Sequence, residues 1–235
     1  GQRRRSPVSA ACYRVFPRLT FPLFSACFLL QCSVAYRSSL CHLFVYTHPM
    51  HSGAPLLLSL HLPHGKLVSK CSLFTSESQG LAKAGRIFGE ERTMPQLLQY
   101  FSSIGSEDAF RRMCVLDALI LNPDRHYGNF GVLFDTKTMQ ILCMAPVFDN
   151  NRSLFPELDE EQLSRPEWYI EKCRPRLGRD FIVNAQGVLT DAIRSDLKNL
   201  QGFSFHSHPD IEITAKRLRF LSKIVNRQIE RILLE

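Results

Sequence analysis

One feature constrains this chain more than any other: an apolar helical run that ends on a proline and opens into a short polar loop. Leu116-Asp117-Ala118-Leu119-Ile120-Leu121 leads into Asn122-Pro123. Proline cannot continue a helix, and it biases the residue before it away from helical backbone, so the helix must stop there. The loop that follows carries Asp124, Arg125, His126 and Asn129. A second apolar run, Ala145-Pro146-Val147-Phe148, then delivers Asp149, 25 residues after Asp124, followed by Asn150. A carboxylate, an imidazole, an amide and a second carboxylate are concentrated on one loop and one strand end, which predicts a site as well as a fold.

Phosphoryl transfer is the chemistry that this spacing suits. It needs a carboxylate to orient or deprotonate the attacking hydroxyl, and a hard cation held by oxygen ligands, because positioning and charge neutralisation supply most of the catalysis. Asp124 fits the first carboxylate. Asn129, five residues on, and Asp149, at the end of a buried strand, fit the cation ligands. Taken singly, Asp124 reads as a turn cap after Pro123, Asn129 as a left-handed turn residue and His126 as a hydrogen-bonded structural histidine. The ordered set Asp-x-x-x-x-Asn, hairpin, apolar-Asp has the form of a kinase catalytic loop followed by its metal loop.

Asn122-x-Asp124-Arg125-His126-x-x-Asn129-Phe130-Gly131, with Ala145-Pro146-x-Phe148-Asp149, closely resembles the C-terminal lobe of HipA-like serine/threonine kinases, whose Asp-Arg-His-x-x-Asn loop is shared with the phosphatidylinositol kinases. The likeness covers roughly residues 65–235. It implies an α+β, protein-kinase-like fold with a mostly helical C-lobe, a small catalytic β-hairpin and an aberrant or truncated N-lobe. By the same likeness Asp124 is the catalytic base, Asn129 and Asp149 hold Mg2+, and His126 supports the loop or the transferring phosphate. The implied reaction moves the γ-phosphate of Mg-ATP to a Ser or Thr hydroxyl of a protein substrate, in a toxin–antitoxin setting with an antitoxin-type partner. In many relatives a Gly follows the Asp-Asn pair, where this chain has Asn151, a residue that tolerates left-handed backbone better than most.

The net charge of +7 would suggest nucleic-acid binding if it were spread over the chain, but it is not. Residues 1–76 contain eight Lys/Arg and no Asp or Glu, whereas residues 77–235 contain 21 Lys/Arg and 22 Asp/Glu. Ordinary composition would place about nine acidic residues in the first 76. Basicity therefore belongs to the leader, and no direct nucleic-acid binding is expected of the remainder.

Residues 1–63 form an atypical, acid-free leader with no sustained period of two or 3.6 residues. Three readings stand. Arg3-Arg4-Arg5 before the uncharged stretch Leu19 to Tyr36 is basic-then-apolar, as membrane or export signals are, although Pro22, Ser25, Gln31 and Ser33 make it marginal for a span. The second reading is a genuine but unusual N-lobe. In the third, the segment is read in the wrong frame or is otherwise degenerate, with the ancestral frame resuming near His64; this accounts for the missing acids and the missing period together.

A kinase N-lobe should supply a Gly-rich loop over the phosphates and a strand lysine that contacts them. No G-x-G-x-x-G precedes Asp124, and Lys66 and Lys70 are the only lysines in the first 80 residues. These two are the candidates for the ATP-contacting role, against the plainer reading of solvated lysines on the hairpin strand Gly65 to Cys71. Without such a lobe the alternative function is a catalytically inactive, kinase-like binding module.

Residues 64–105 should form the hinge and inter-lobe connection, with Thr75 to Gly80 as a polar turn and Met94 to Phe101 as a short helix. Residues 106–235 should form the C-lobe. Ser106 is placed to cap the central helix, Glu107 and Asp108 suit its dipole, and Asp117 within it requires a partner such as Arg125 or the loop backbone. Phe130 to Phe134 and Met139 to Cys143 read as a hairpin around Asp135-Thr136-Lys137-Thr138. Asn150 to Pro175 reads as a substrate-side loop or a packed surface segment. Asp191 to Leu200 has a helical pattern, and Asp210 is placed to cap a last helix carrying Ile213, Leu218, Leu221, Val225, Ile229 and Ile232.

His206-Ser207-His208, taken with Asp124, His126 and Asp149, would instead suggest a metal-dependent phosphohydrolase. An i,i+2 His pair next to Pro209 is more often simply exposed. The eight Cys contain no C-x-x-C and no zinc spacing, so reduced thiols in a cytoplasmic protein are expected, without membrane attachment.

Overall fold

The computed structural model describes residues 59–61 and 68–70 at the level of the backbone, and residues 74–159, 161–162, 165–206 and 213–234 in full. Residues 1–58 lie outside it, so the three readings of the leader fall on undescribed residues. Two short antiparallel strands, β1 (Ser59–His61) and β2 (Val68–Lys70), pair with each other.

The central element is helix α3, Glu107–Leu119. Glu107 and Asp108 lie in its first turn, where carboxylates favour the dipole, and each pairs one turn on, with Arg111 and Arg112. From Met113 to Leu119 every residue is buried, because the helix is enclosed by α2 (Met94–Ser103), α5 (Phe181–Gln186) and α7 (Ala215–Leu233). Phe101 stacks on Phe110 at 4.7 Å, and Phe130 packs against both at 6.3 Å. This aromatic knot joins α2 and α3 to the loop that carries the candidate site. At the other end Gln228 of α7 donates to the Ala118 carbonyl at 2.8 Å, pinning the last turn of α3.

Ser106 stands at the N-cap position of α3, but its side chain makes no cap bond. Its hydroxyl instead accepts the backbone N–H of Met144 at 2.9 Å. The start of the central helix is thereby tied to the end of strand β5 (Ile141–Met144), just before the run that leads to Asp149.

The sheet is antiparallel in the order β3-β4-β5, with β3 at Gln79–Lys83 and β4 at Gly131–Asp135. The expected hairpin is present, its turn closed by Asp135, which accepts the N–H groups of Lys137 and Thr138. Strand β3 is a correction: Gln79 and Gly80, read from sequence as part of a polar turn, are its first two residues. Gly131 pairs with Lys83, and a Cβ there would lie 2.1 Å from the Ala82 carbonyl oxygen, so the close approach of β3 requires a residue without a side chain. The run Ala145 to Phe148 is mostly buried, but regular strand ends at Met144. Pro146 has no N–H with which to continue the ladder.

Helix α1 (Ala84–Phe88) follows β3 directly, and its first amides bond the candidate loop. The segment after Asp149 contains α4 (Pro166–Lys172), and α5 follows it; neither helix was legible from periodicity, because each is under eight residues long. Helix α6 (Asp191–Asn199) matches its pattern. Helix α7 starts at Ala215 with Thr214 as N-cap, accepting from the Arg217 N–H at 3.1 Å. That corrects the expected cap at Asp210, which lies outside the described residues. Leu218, Leu221, Val225, Ile229 and Ile232 form its buried face as expected, whereas Ile213 precedes the helix and is half-buried. Among the described residues no helix is long and apolar enough to cross a membrane.

Candidate functional site

Helix α3 ends at Leu119, and Leu121 turns the chain through left-handed backbone at φ 48°. Asn122, fully buried, then fixes the turn: its amide nitrogen donates to Asp117 Oδ1 at 3.0 Å and its carbonyl oxygen accepts the Asp124 N–H at 3.1 Å. Helix end and loop start are thus held by one side chain.

Arg125 is the hub of the site. Its guanidinium is 1% exposed, forks onto Asp117 through Nε and Nη2, and donates Nη2 to Asn150 Oδ1 as well. Its Nη1 lies 2.7 Å from the carbonyl oxygens of both Asn129 and Phe148. A single nitrogen therefore holds together the backbone of one candidate cation ligand and the residue that precedes the other. The partner expected for Asp117 is present, and the pair does more than neutralise a buried charge.

Asn129 is buried, and its Nδ2 donates to the Asp124 carbonyl at 2.9 Å. That bond fixes the amide plane and turns Oδ1 away from the Asp124 carbonyl. Asp149 is exposed, makes no ion pair among the described residues and sits at φ 58°. Left-handed backbone in a residue other than glycine costs energy and persists where its surroundings impose it. Here Phe148 is bonded by Arg125 on one side, and Asn150, buried and bonded by Arg125, stands on the other.

His126 Nδ1 accepts the Gly128 N–H at 2.9 Å, which leaves Nε2 as the protonated nitrogen of the neutral ring. A Cβ at Gly128 would lie 2.7 Å from the imidazole Cε1, so a larger residue there would push the ring aside. The loop is braced from α1 by Gly85 N–H to the Tyr127 carbonyl and Ala84 N–H to the Phe130 carbonyl, both 2.9 Å. The Tyr127 hydroxyl accepts the Arg92 N–H at 2.6 Å.

A cleft of about 360 Å3 opens on this side of the loop, lined by Gly85, Gly89, Glu90, Glu91, His126 and Gly128, with Tyr127 and Arg176 completing the wall. Arg176 Nη1 donates to Asp124 Oδ1 at 3.0 Å. Sequence reasoning missed Arg176, because the pair spans 52 residues and no local pattern announces it. The only local signal was its position between Pro175 and Gly178.

Asp124, His126, Asn129 and Asp149 are thus placed on two segments that share Arg125 as their fastening. Lys70 falls in β2, with its side chain outside the described residues, and Lys66 is outside them altogether. His206 is exposed and lies 3.4 Å from the Ser204 hydroxyl, while His208 is undescribed. Among the described residues no group of three or more His, Cys, Asp or Glu is placed to hold a metal ion, and the His208 half of the phosphohydrolase alternative lies outside them.

An antiparallel sheet of three strands, a buried central helix, a polar loop between them and a helical remainder make this an α+β, kinase-like fold. The chain is similar to the crystal structure of the Helicobacter pylori proinflammatory kinase CtkA, with a TM-score of 0.50 and 16% identity over 76% of this chain and 77% of that one. No family model matches the chain, and no curated protein matches it in sequence.

Proposed function

We propose that the chain is a HipA-like phosphotransferase that moves the γ-phosphate of Mg-ATP to a Ser or Thr hydroxyl of a protein. One observation carries this reading: Arg125 Nη1 bonds the carbonyls of Asn129 and Phe148 at the same 2.7 Å, so that the amide oxygen of Asn129 and the carboxylate of Asp149, both without a partner among the described residues, belong to adjoining segments. A neutral amide oxygen and a carboxylate are hard donors of the kind Mg2+ takes, usually with waters and phosphate oxygens completing its shell, so the residues fit the ion. When bound, the ion would neutralise charge on the phosphates. The chain's own part is to hold Asn129 and Asp149 in place, to keep Asp124 within reach of an acceptor hydroxyl, and to brace the loop through His126 and Gly128. The kinase-like fold supports this reading, and the loop residues are those of the HipA-like pattern.

By the same reading the substrate is a protein, and an antitoxin-type partner belongs to the setting. The ATP-contacting lysine would be Lys66 or Lys70. The second reading, a kinase-like binding module without transfer activity, is favoured by the absence of a Gly-rich loop before Asp124.

The test is a thermal-shift titration with Mg-ATP, with Asp149→Asn as control. Ligand at about 100 times its dissociation constant stabilises a competent fold by about 2.7 kcal/mol, a shift of several degrees. A shift that Asp149→Asn abolishes supports the nucleotide site. A cooperative melt that Mg-ATP does not move refutes it.

A further inference from the structure

If the chain is a phosphotransferase, its base does not act alone. Arg176 and Asp124 form an ion pair at 3.0 Å whose partners are 61% and 32% exposed. A pair so exposed contributes little to stability, yet the segment that presents Arg176 is firmly built. Leu177 is buried, and its carbonyl accepts the Asn184 amide at 2.8 Å. Gly178 turns at φ 76° directly against the Asn184 side chain. Pro175 stiffens the approach. An exposed arginine is thus held by an anchored loop at the carboxylate that would take the acceptor's proton. It also lines the cleft that His126 and Gly128 border.

We propose that Arg176 is the positioning residue of Asp124. Its guanidinium occupies Oδ1 and fixes the carboxylate plane, which leaves Oδ2 to receive the acceptor's proton. The acceptor oxygen, arriving through the cleft, forms its bond to the γ-phosphorus. The bond from that phosphorus to the bridging oxygen breaks, its electron pair leaves with ADP, and the hydroxyl proton passes to Asp124 Oδ2. Partners that orient a reacting side chain typically matter by about ten- to a hundredfold in rate.

The experiment uses the full chain with Mg-ATP, water serving as the acceptor, and measures ATP turnover and the Mg-ATP thermal shift in parallel for the parent, Arg176→Ala and Arg176→Lys. The expected result is a kcat about ten- to a hundredfold lower in Arg176→Ala, with KM for ATP and the thermal shift unchanged, partial activity in Arg176→Lys, and partial rescue of Arg176→Ala by millimolar guanidinium. No rescue should occur in the double variant Asp124→Ala/Arg176→Ala. An unchanged kcat, or a raised KM with kcat intact, overturns the proposal while the nucleotide reading stands. A parent that binds Mg-ATP but never turns it over also overturns it. A parent that shows neither binding nor turnover removes the phosphotransferase reading itself, and this proposal with it.

Discussion

Asp117 and Arg125 meet inside the core as a forked pair, Nε to Oδ2 and Nη2 to Oδ1 both at 2.9 Å, with 8% and 1% of their side chains exposed. The guanidinium spends its remaining donors on Asn150 Oδ1 and on the carbonyls of Asn129 and Phe148. Removing the carboxylate leaves a buried cation uncompensated. Asp117→Ala should therefore lose about 3–5 kcal/mol in urea unfolding. Arg125→Lys should fall in the same direction, because a point charge cannot serve the fork and both carbonyls at once. A loss under about 1 kcal/mol for Asp117→Ala would mean that the pair does not organise the loop.

Asp149 separates function from stability. It is exposed, lies at φ 58°, and has no described side-chain partner to lose. Asp149→Gly relieves the left-handed backbone at the cost of a more mobile unfolded chain, so the two effects oppose each other and stability should stay within about 1 kcal/mol. Asp149→Val, β-branched at positive φ, should cost about 1–2 kcal/mol. Both should abolish the Mg-ATP thermal shift. Retention of the shift in Asp149→Gly would remove Asp149 from the cation site.

The sequence was legible where interactions are local and illegible where they are not. The break at Pro123, the hairpin around Asp135 and the apolar face of α7 follow from residue types within a few positions of one another. The pairing of Asp117 with Arg125 was also accessible, since a carboxylate in an apolar helix demands a partner and an arginine lies eight residues on. Strand β3 was hidden because Gln79 and Gly80 belong to a segment with turn-like composition, and its strand character comes from pairing with β4. The hydroxyl of Ser106 was read as a cap because that is its local preference, but tertiary structure offered it the Met144 N–H. Arg176 could not be placed at all, since nothing near it in sequence refers to Asp124.

Two glycines make a controlled comparison. Gly131 lies where a Cβ would meet the Ala82 carbonyl oxygen at 2.1 Å, and backbone on a paired strand cannot move aside cheaply. Gly131→Ala should destabilise by about 1–3 kcal/mol or more and disturb the β3–β4 pairing. Gly89 has φ 71° with nothing within 4 Å of its would-be Cβ, so Gly89→Ala meets only the backbone penalty of about 1 kcal/mol. Equal losses in chemical denaturation would count against the close approach of β3 to the loop.

Arg217 connects α7 to the segment beyond Asp149. Its Nη1 donates to the Leu158 carbonyl at 2.6 Å and its Nη2 to the Phe155 carbonyl at 3.0 Å, while Leu154 and Phe155 both sit at positive φ. Those carbonyls have been turned inward toward a buried guanidinium. Arg217→Ala should cost about 2–4 kcal/mol and make residues 153–158 the first site of limited proteolysis. Cleavage elsewhere first, with those residues still protected, would contradict the clamp.

Burial above all, and the Glu157 carboxylate after it, push the Cys173 thiol up to about 11. Burial likewise pushes Cys114 far up, and Cys143 up. A raised thiol pKa means less thiolate near neutrality, and thiolate is the reacting form. At pH 8 iodoacetamide should therefore label the peptides containing Cys114 and Cys173 only after unfolding, and peptide mass mapping reads each site separately. Labelling of Cys173 should rise as pH approaches 11 while the fold persists, whereas Cys114, enclosed within α3, should stay protected until the chain melts. Rapid labelling of Cys173 at pH 7 in the folded protein would show that the contact of its sulfur with the Leu121 carbonyl, at 3.7 Å, does not hold in solution. The loop entry beside Asn122 would then be looser than the geometry of the site requires.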